Sequence, residues 1–157
     1  MAKKPPEKII ELMKKHGINK SDLWDCHGTW ILLHRAIEAL GAAEGVIVTM
    51  ELIHHDQLEK CAIVSASAKI DHCGVEFKSL GEAAPYNNKN SYPIAMAEKR
   101  AIDRATLKAL NLHGYVYSEI ESEDFKRGAK SKPTEKVGTG SSQIDDVMAR
   151  MNQVIQK

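Results

Sequence analysis

The segment Tyr92–Leu112 constrains this chain more than any other. It reads as one long helix, with Ser91 placed to cap it and Pro93 suited to its first turn. Rotation by about 100° per residue gathers Ile94, Ala101, Ala105, Ala109 and Leu112 on one side. The small alanines there would let the helix approach a sheet or another helix closely. A second row, Arg100, Arg104 and Lys108, follows i, i+4, i+8 spacing on the opposite face, where it would remain available to a partner. A helix with a small-residue side and a basic row needs a layer to lie on, and the rest of the chain supplies one.

Upstream, Glu7–Lys15 carries Ile9, Ile10, Leu12 and Met13 at helical spacing and should stop at Gly17. A second helix is expected from about Thr29 to Ala43. Val46–Ile53 is short and β-branched, Cys61–Ile70 partly alternates, and Val75–Leu80 follows the turn Asp71-His72-Cys73-Gly74. Short connections between successive strands favour an antiparallel meander. Gly81–Asn90 reads as a loop. The expected fold class is therefore α+β: helices plus a three-stranded antiparallel meander, followed by the long basic helix.

Downstream, Lys126–Ser142 is rich in Lys, Gly, Ser and Thr and reads as a linker. Beyond it Ile144, Val147, Met148, Met151 and Ile155 recover a helical period. The expected organisation is a core domain over 7–125, a linker over 126–142 and a detached amphipathic interaction helix over 143–157. That helix is too short to be stable alone in water, so it should dock on its own domain, a neighbouring copy or another protein.

No apolar run approaches the ~20 residues that span a bilayer, so no membrane partner is expected. The segment Met1–Pro6 has positive charge but no apolar stretch and does not read as a signal peptide. Three sparsely placed cysteines do not suggest a disulfide framework, and a reducing cytoplasmic setting is expected. The 22 basic and 21 acidic side chains nearly cancel, so distribution matters more than total. Basic residues gather at 89–108 and 126–136, acidic ones at 119–124.

Two features favour a polyanion at the long helix. Asn87, Asn88, Lys89 and Asn90 precede it, and backbone N–H groups at a helix start seek anions. Tyr86 and Tyr92 lie beside them and offer stacking faces for bases, although core packing is the commoner role of an aromatic. The plainer reading of the basic row is a solvated face. Glu98 is the misfit, since rotation sets it on the alanine side. It calls for a cationic or hydrogen-bonding partner, with Arg35 or an arginine of a neighbouring subunit as candidates.

Cys26-His27, His34, His54-His55, Cys61 and His72-Cys73 raise the question of zinc. Their pairs are adjacent rather than spaced as C-x-x-C or H-x-x-x-H, so no metal or other cofactor is expected. Cys26 lacks a recognisable base and oxyanion hole, and no phosphate-binding glycine loop is present. The balance is against an enzyme.

The blocks Ser91–Ala105 and Leu110–Glu119, with Trp24–Trp30 and Gly81–Pro85, resemble segments of small bacteriophage and prophage proteins. The order of meander and long basic helix is similar to the core of single-strand annealing proteins of the phage Erf and Sak type. That resemblance implies a protein that binds single-stranded DNA and anneals complementary strands without ATP, as a homo-oligomer in the host cytoplasm. The residues it implies as DNA contacts are Lys99, Arg100 and Arg104, with Lys108 and Lys89. An adaptor acting through residues 143–157 and a metal-dependent enzyme are the alternatives.

Overall fold

The computed structural model describes residues 4–122. In chain order the elements are α1 (Glu7–Lys15), β1 (Leu23–Cys26), β2 (Thr29–Leu32), α2 (His34–Ala43), β3 (Val46–Asp56), β4 (Cys61–Ile70), β5 (Glu76–Ala83), α3 (Pro93–Ala109) and β6 (Val116–Ser118). The chain is thus α+β, with one antiparallel sheet ordered β3-β4-β5 and a second small sheet ordered β1-β2-β6. The expected linker and the C-terminal helix with Ile144, Met148, Met151 and Ile155 lie outside the described residues.

The larger sheet and α3 fit because both present small side chains. Ala62, Val64, Ala66 and Ala68 alternate inward along β4 and are buried. They share one cluster with Ala97, Ala101, Ala105 and Ala109 of α3. With little side chain between them, the backbones come close, and Gly81 of β5 marks the tightest point. A Cβ at Gly81 would fall 2.0 Å from the Ala97 carbonyl oxygen and 2.4 Å from the Ala101 nitrogen. Only glycine leaves room for the helix there.

A second core forms where α1, α2 and the far end of α3 meet. Ile9, Met13, Leu32, Ile37, Leu40, Leu107, Leu112 and Val116 are buried in it. α1 ends as expected: Gly17 takes a φ of 66°, and the Ile18 amide donates back to Met13 O at 2.8 Å. α3 stops at Ala109, and Asn111 takes a left-handed φ of 56°, which asparagine tolerates better than most residues. The expected Ser91 cap is not formed, since Tyr92 occupies the N-cap position and no side chain caps the helix.

The helix expected to begin near Thr29 begins at His34 instead. Thr29–Leu32 is a strand paired antiparallel with β1 and parallel with β6. His27 and Gly28 both have positive φ, and the Gly28 amide donates to Asp25 Oδ1 at 2.7 Å, which closes a tight hairpin turn. The β6 partner lies more than 80 residues away, so no local pattern announces it. The larger-sheet strands also outrun their expected ends. β3 continues through His54 and His55 after a register shift between Leu52 and His54, and β5 takes in Gly81–Ala83. Among the described residues, no helix is long and apolar enough to cross a membrane.

Candidate nucleic-acid interface

The basic row of α3 does not face solvent as a unit. Arg100 is 3% exposed, and its two amino groups donate to Glu82 O at 2.6 Å and Asn87 O at 2.7 Å. Arg104 donates to Leu80 O at 2.7 Å and pairs with Glu121 at 2.5 Å, and Lys108 donates to Lys78 O at 3.0 Å. The acceptors 82, 80 and 78 are alternate residues of β5, the outer strand of its sheet. Four helical residues advance about 6 Å and two strand residues about 6.6–6.8 Å, so the two rows keep step. The row therefore covers the outer edge of β5 with cationic donors. Arg100 is thus buried against two carbonyls, whereas Arg104 gives donors to one carbonyl and to Glu121 while its side chain stays 31% exposed.

The first turn of α3 borders a cleft of about 1030 Å³. Its walls are the β3–β4 hairpin tip (His55, Gln57, Lys60), the loop before α3 (Asn88, Lys89, Asn90, Tyr92), and Ile94 and Glu98 of α3 itself. Lys60 takes a left-handed φ of 51° at the end of the hairpin turn. Asp56 Oδ1 fixes that turn by accepting from the amides of Leu58 at 2.8 Å and Glu59 at 3.0 Å. These two bonds hold the Asp56 carboxyl below its ordinary range. The loop is similarly self-bonded: Asn87 Oδ1 accepts from Ala84 N at 2.8 Å, and Asn90 Oδ1 from Tyr92 N at 2.9 Å. Asn88 Oδ1 likewise accepts from Asn90 N at 3.3 Å, so three of the four residues 87–90 serve the backbone and Lys89 is left exposed beside them.

Tyr92 is 68% exposed at the cleft, and Tyr86 is 65% exposed on the same loop, outside the lining. Lys99 is also exposed but lies outside the lining, with its charge felt at His34. Of the seven expected contacts, the structure brings together Lys89 and Tyr92, keeps Tyr86 near, and sends Arg100, Arg104 and Lys108 to the sheet edge. Reasoning along the chain missed His55, Gln57 and Lys60. The only local signal was a polar turn, and its position opposite the α3 N-terminus follows from the β3–β4 pairing.

Glu98 is half-buried on the cleft wall and has no ion-pair partner among the described residues. The expected partner Arg35 sits elsewhere and pairs with Asp22 at 2.6 Å. The reason is the α2 boundary: with the helix starting at His34, Arg35 falls in its first turn, beside the 3-10 turn that carries Asp22.

A polar cluster lies at the other end of the helix layer. His34 Nδ1 lies 2.6 Å from Asp103 Oδ1, Ser118 Oγ donates to Asp103 Oδ2, and the His34 amide donates to Glu119 Oε1 at 3.0 Å. The hydrogen bond to Asp103 raises the His34 pKa above its ordinary value, against the opposing effect of burial. Asp103 and Ser118 are almost fully buried, so the cluster ties α2, α3 and β6 together. Among the described residues, no group of three or more His, Cys, Asp or Glu side chains converges to hold a metal ion.

Comparison with family models, with curated proteins and with solved structures gives no match.

Proposed function

We propose that the cleft at the α3 N-terminus binds single-stranded DNA. The observation that carries this reading is the pairing of Lys60 and Lys89 with the exposed Tyr92 ring around one opening. Lysines and first-turn N–H groups suit phosphate, and an exposed tyrosine suits an unpaired base. A duplex keeps its bases stacked inside, so an aromatic platform favours the single strand. Glu98 repels phosphate and would accept from an exocyclic amine, which orients the bases toward the helix and the backbone toward the lysines. Annealing of complementary strands by an oligomer, without ATP, completes the proposal and rests on the resemblance to phage annealing proteins.

Fluorescence anisotropy with labelled single-stranded oligonucleotides across a salt series tests the binding. For single strands the log–log salt slope is about 0.7 per phosphate contact, so Lys60→Ala with Lys89→Ala should lower it by about 1.4. Tyr92→Ala should weaken binding by roughly fivefold, the low end of stacking energies. Wild-type affinity and slope in the double variant would refute the site. Strand annealing of complementary oligonucleotides without nucleotide cofactor tests the second part, and a rate no faster than that of naked DNA would refute it.

A further inference from the structure

The two edges of the larger sheet are treated differently. The β5 edge is occupied by Arg100, Arg104 and Lys108. The β3 edge is eleven residues long and has no strand paired to it among the described residues. Proteins protect such edges with lysines, prolines or a covering element. Val46–Asp56 contains no Lys, Arg or Pro, and six of its eleven side chains (Val46, Ile47, Val48, Met50, Leu52 and Ile53) are apolar. On the α3 side of the sheet Met50 is 48% and Leu52 52% exposed, because α3 lies over β4 and β5 and leaves this flank uncovered. Ile47 on the opposite face is exposed as well.

We propose that the β3 edge pairs antiparallel with the β3 edge of a second copy of this chain, about a two-fold axis at Met50. It concerns how copies meet and stands whether or not the cleft takes DNA. A two-fold contact is self-complementary, and strand pairing sets residues on the same face opposite each other. Centred on Met50, the pairing sets Met50 against Met50, Val48 against Leu52 and Thr49 against Glu51. Both exposed apolar residues of the α3-side flank then find apolar partners, and Glu51 meets a hydroxyl. Moving the axis to Glu51 sets two carboxylates directly opposite, which destabilises a pair. Moving it to Thr49 sets Ile47 against Glu51 and leaves the apolar residue beside a charge. Of these three axes, that at Met50 alone sets apolar against apolar on one face and carboxylate against hydroxyl on the other. The result is a continuous six-stranded sheet whose two outer edges are the β5 strands, each already covered by the α3 cations.

Site-specific crosslinking of the full chain tests this. Met50→Cys, in a background with Cys73→Ser, should form a disulfide-linked dimer on diamide treatment. The rate should exceed that of Leu58→Cys, on the exposed hairpin tip, by tenfold or more. Native mass should give a dimer or a multiple of two for wild type, and Met50→Asp should halve it by placing two carboxylates on the axis. A monomeric wild type would overturn the proposal. So would an oligomer in which Met50→Cys crosslinks no faster than Leu58→Cys, since copies would then meet elsewhere. The crosslinking arm needs no destabilising change, so a failure of Met50→Asp to fold does not remove the test.

Discussion

Replacing Arg100 with alanine should damage the fold before it damages any binding. The side chain is nearly inaccessible, and two of its charged N–H donors satisfy Glu82 O and Asn87 O at 2.6 and 2.7 Å. Hydrogen bonds from a charged donor contribute about 1.5–3 kcal/mol each, and removal leaves the two acceptors to find water. Glu82 is exposed and Asn87 is half-buried, so water recovers part of the loss. The low end of the range then applies to each bond, a total of about 3 kcal/mol. For a domain of this size 1 kcal/mol moves Tm by roughly 3–6 °C, so Tm should fall by about 10–15 °C. Thermal unfolding followed by circular dichroism measures it, with urea titration as a check on two-state behaviour. Arg100→Lys should fall between, because an ammonium cannot span two carbonyls with a planar fork. If Arg100→Ala unfolds at the wild-type temperature and loses only DNA affinity, the structural assignment of the row is wrong.

Gly81→Ala should destabilise by about 3 kcal/mol or more, at the upper end for overpacking, because the new methyl meets the α3 backbone rather than a movable side chain; an unchanged urea midpoint would show that α3 does not sit where described. Asn111→Val should cost about 1–2 kcal/mol through its left-handed φ and Asn111→Gly far less, and equal midpoints for the two would remove that explanation. The His34 pair should make stability fall at high pH. The folded pKa of His34 is raised above the unfolded value, so its contribution is fully present below about pH 6.5 and is lost as pH rises through the higher folded value. Urea midpoints between pH 6 and 9 should decline in wild type and flatten in Asp103→Asn, whereas a parallel decline in both would assign the effect to other groups.

How much of this was legible in the sequence depends on how far each partner lies along the chain. The alanine side of α3 was readable because helical spacing alone sorts Ala101, Ala105 and Ala109 onto one face, and the structure buries all three. The end of α1 at Gly17 was readable for the same local reason. The β1–β2 hairpin was not. Trp30, Ile31 and Leu32 suit a helix or a strand, and what decides is a parallel pairing with Val116–Ser118. Once that strand takes Thr29–Leu32, α2 starts at His34, and Arg35 moves to Asp22 instead of Glu98.

The basic row shows why a charge pattern on a helix does not by itself name a partner. Arg100, Arg104 and Lys108 would be spaced alike for phosphates and for the alternate carbonyls of a strand. The phosphate reading assumed that the face opposite the alanines points to solvent. The row actually lies beside the alanine face, where the sheet ends, so the acceptors within its reach are the outward carbonyls of β5. Those carbonyls need donors, and a helix packed this tightly brings its long cationic side chains over the edge to supply them. Cations free for a polyanion are therefore to be sought where no strand edge lies within reach. On α3 that place is the N-terminal turn, where Lys89 precedes the helix and the hairpin tip brings Lys60 across to it.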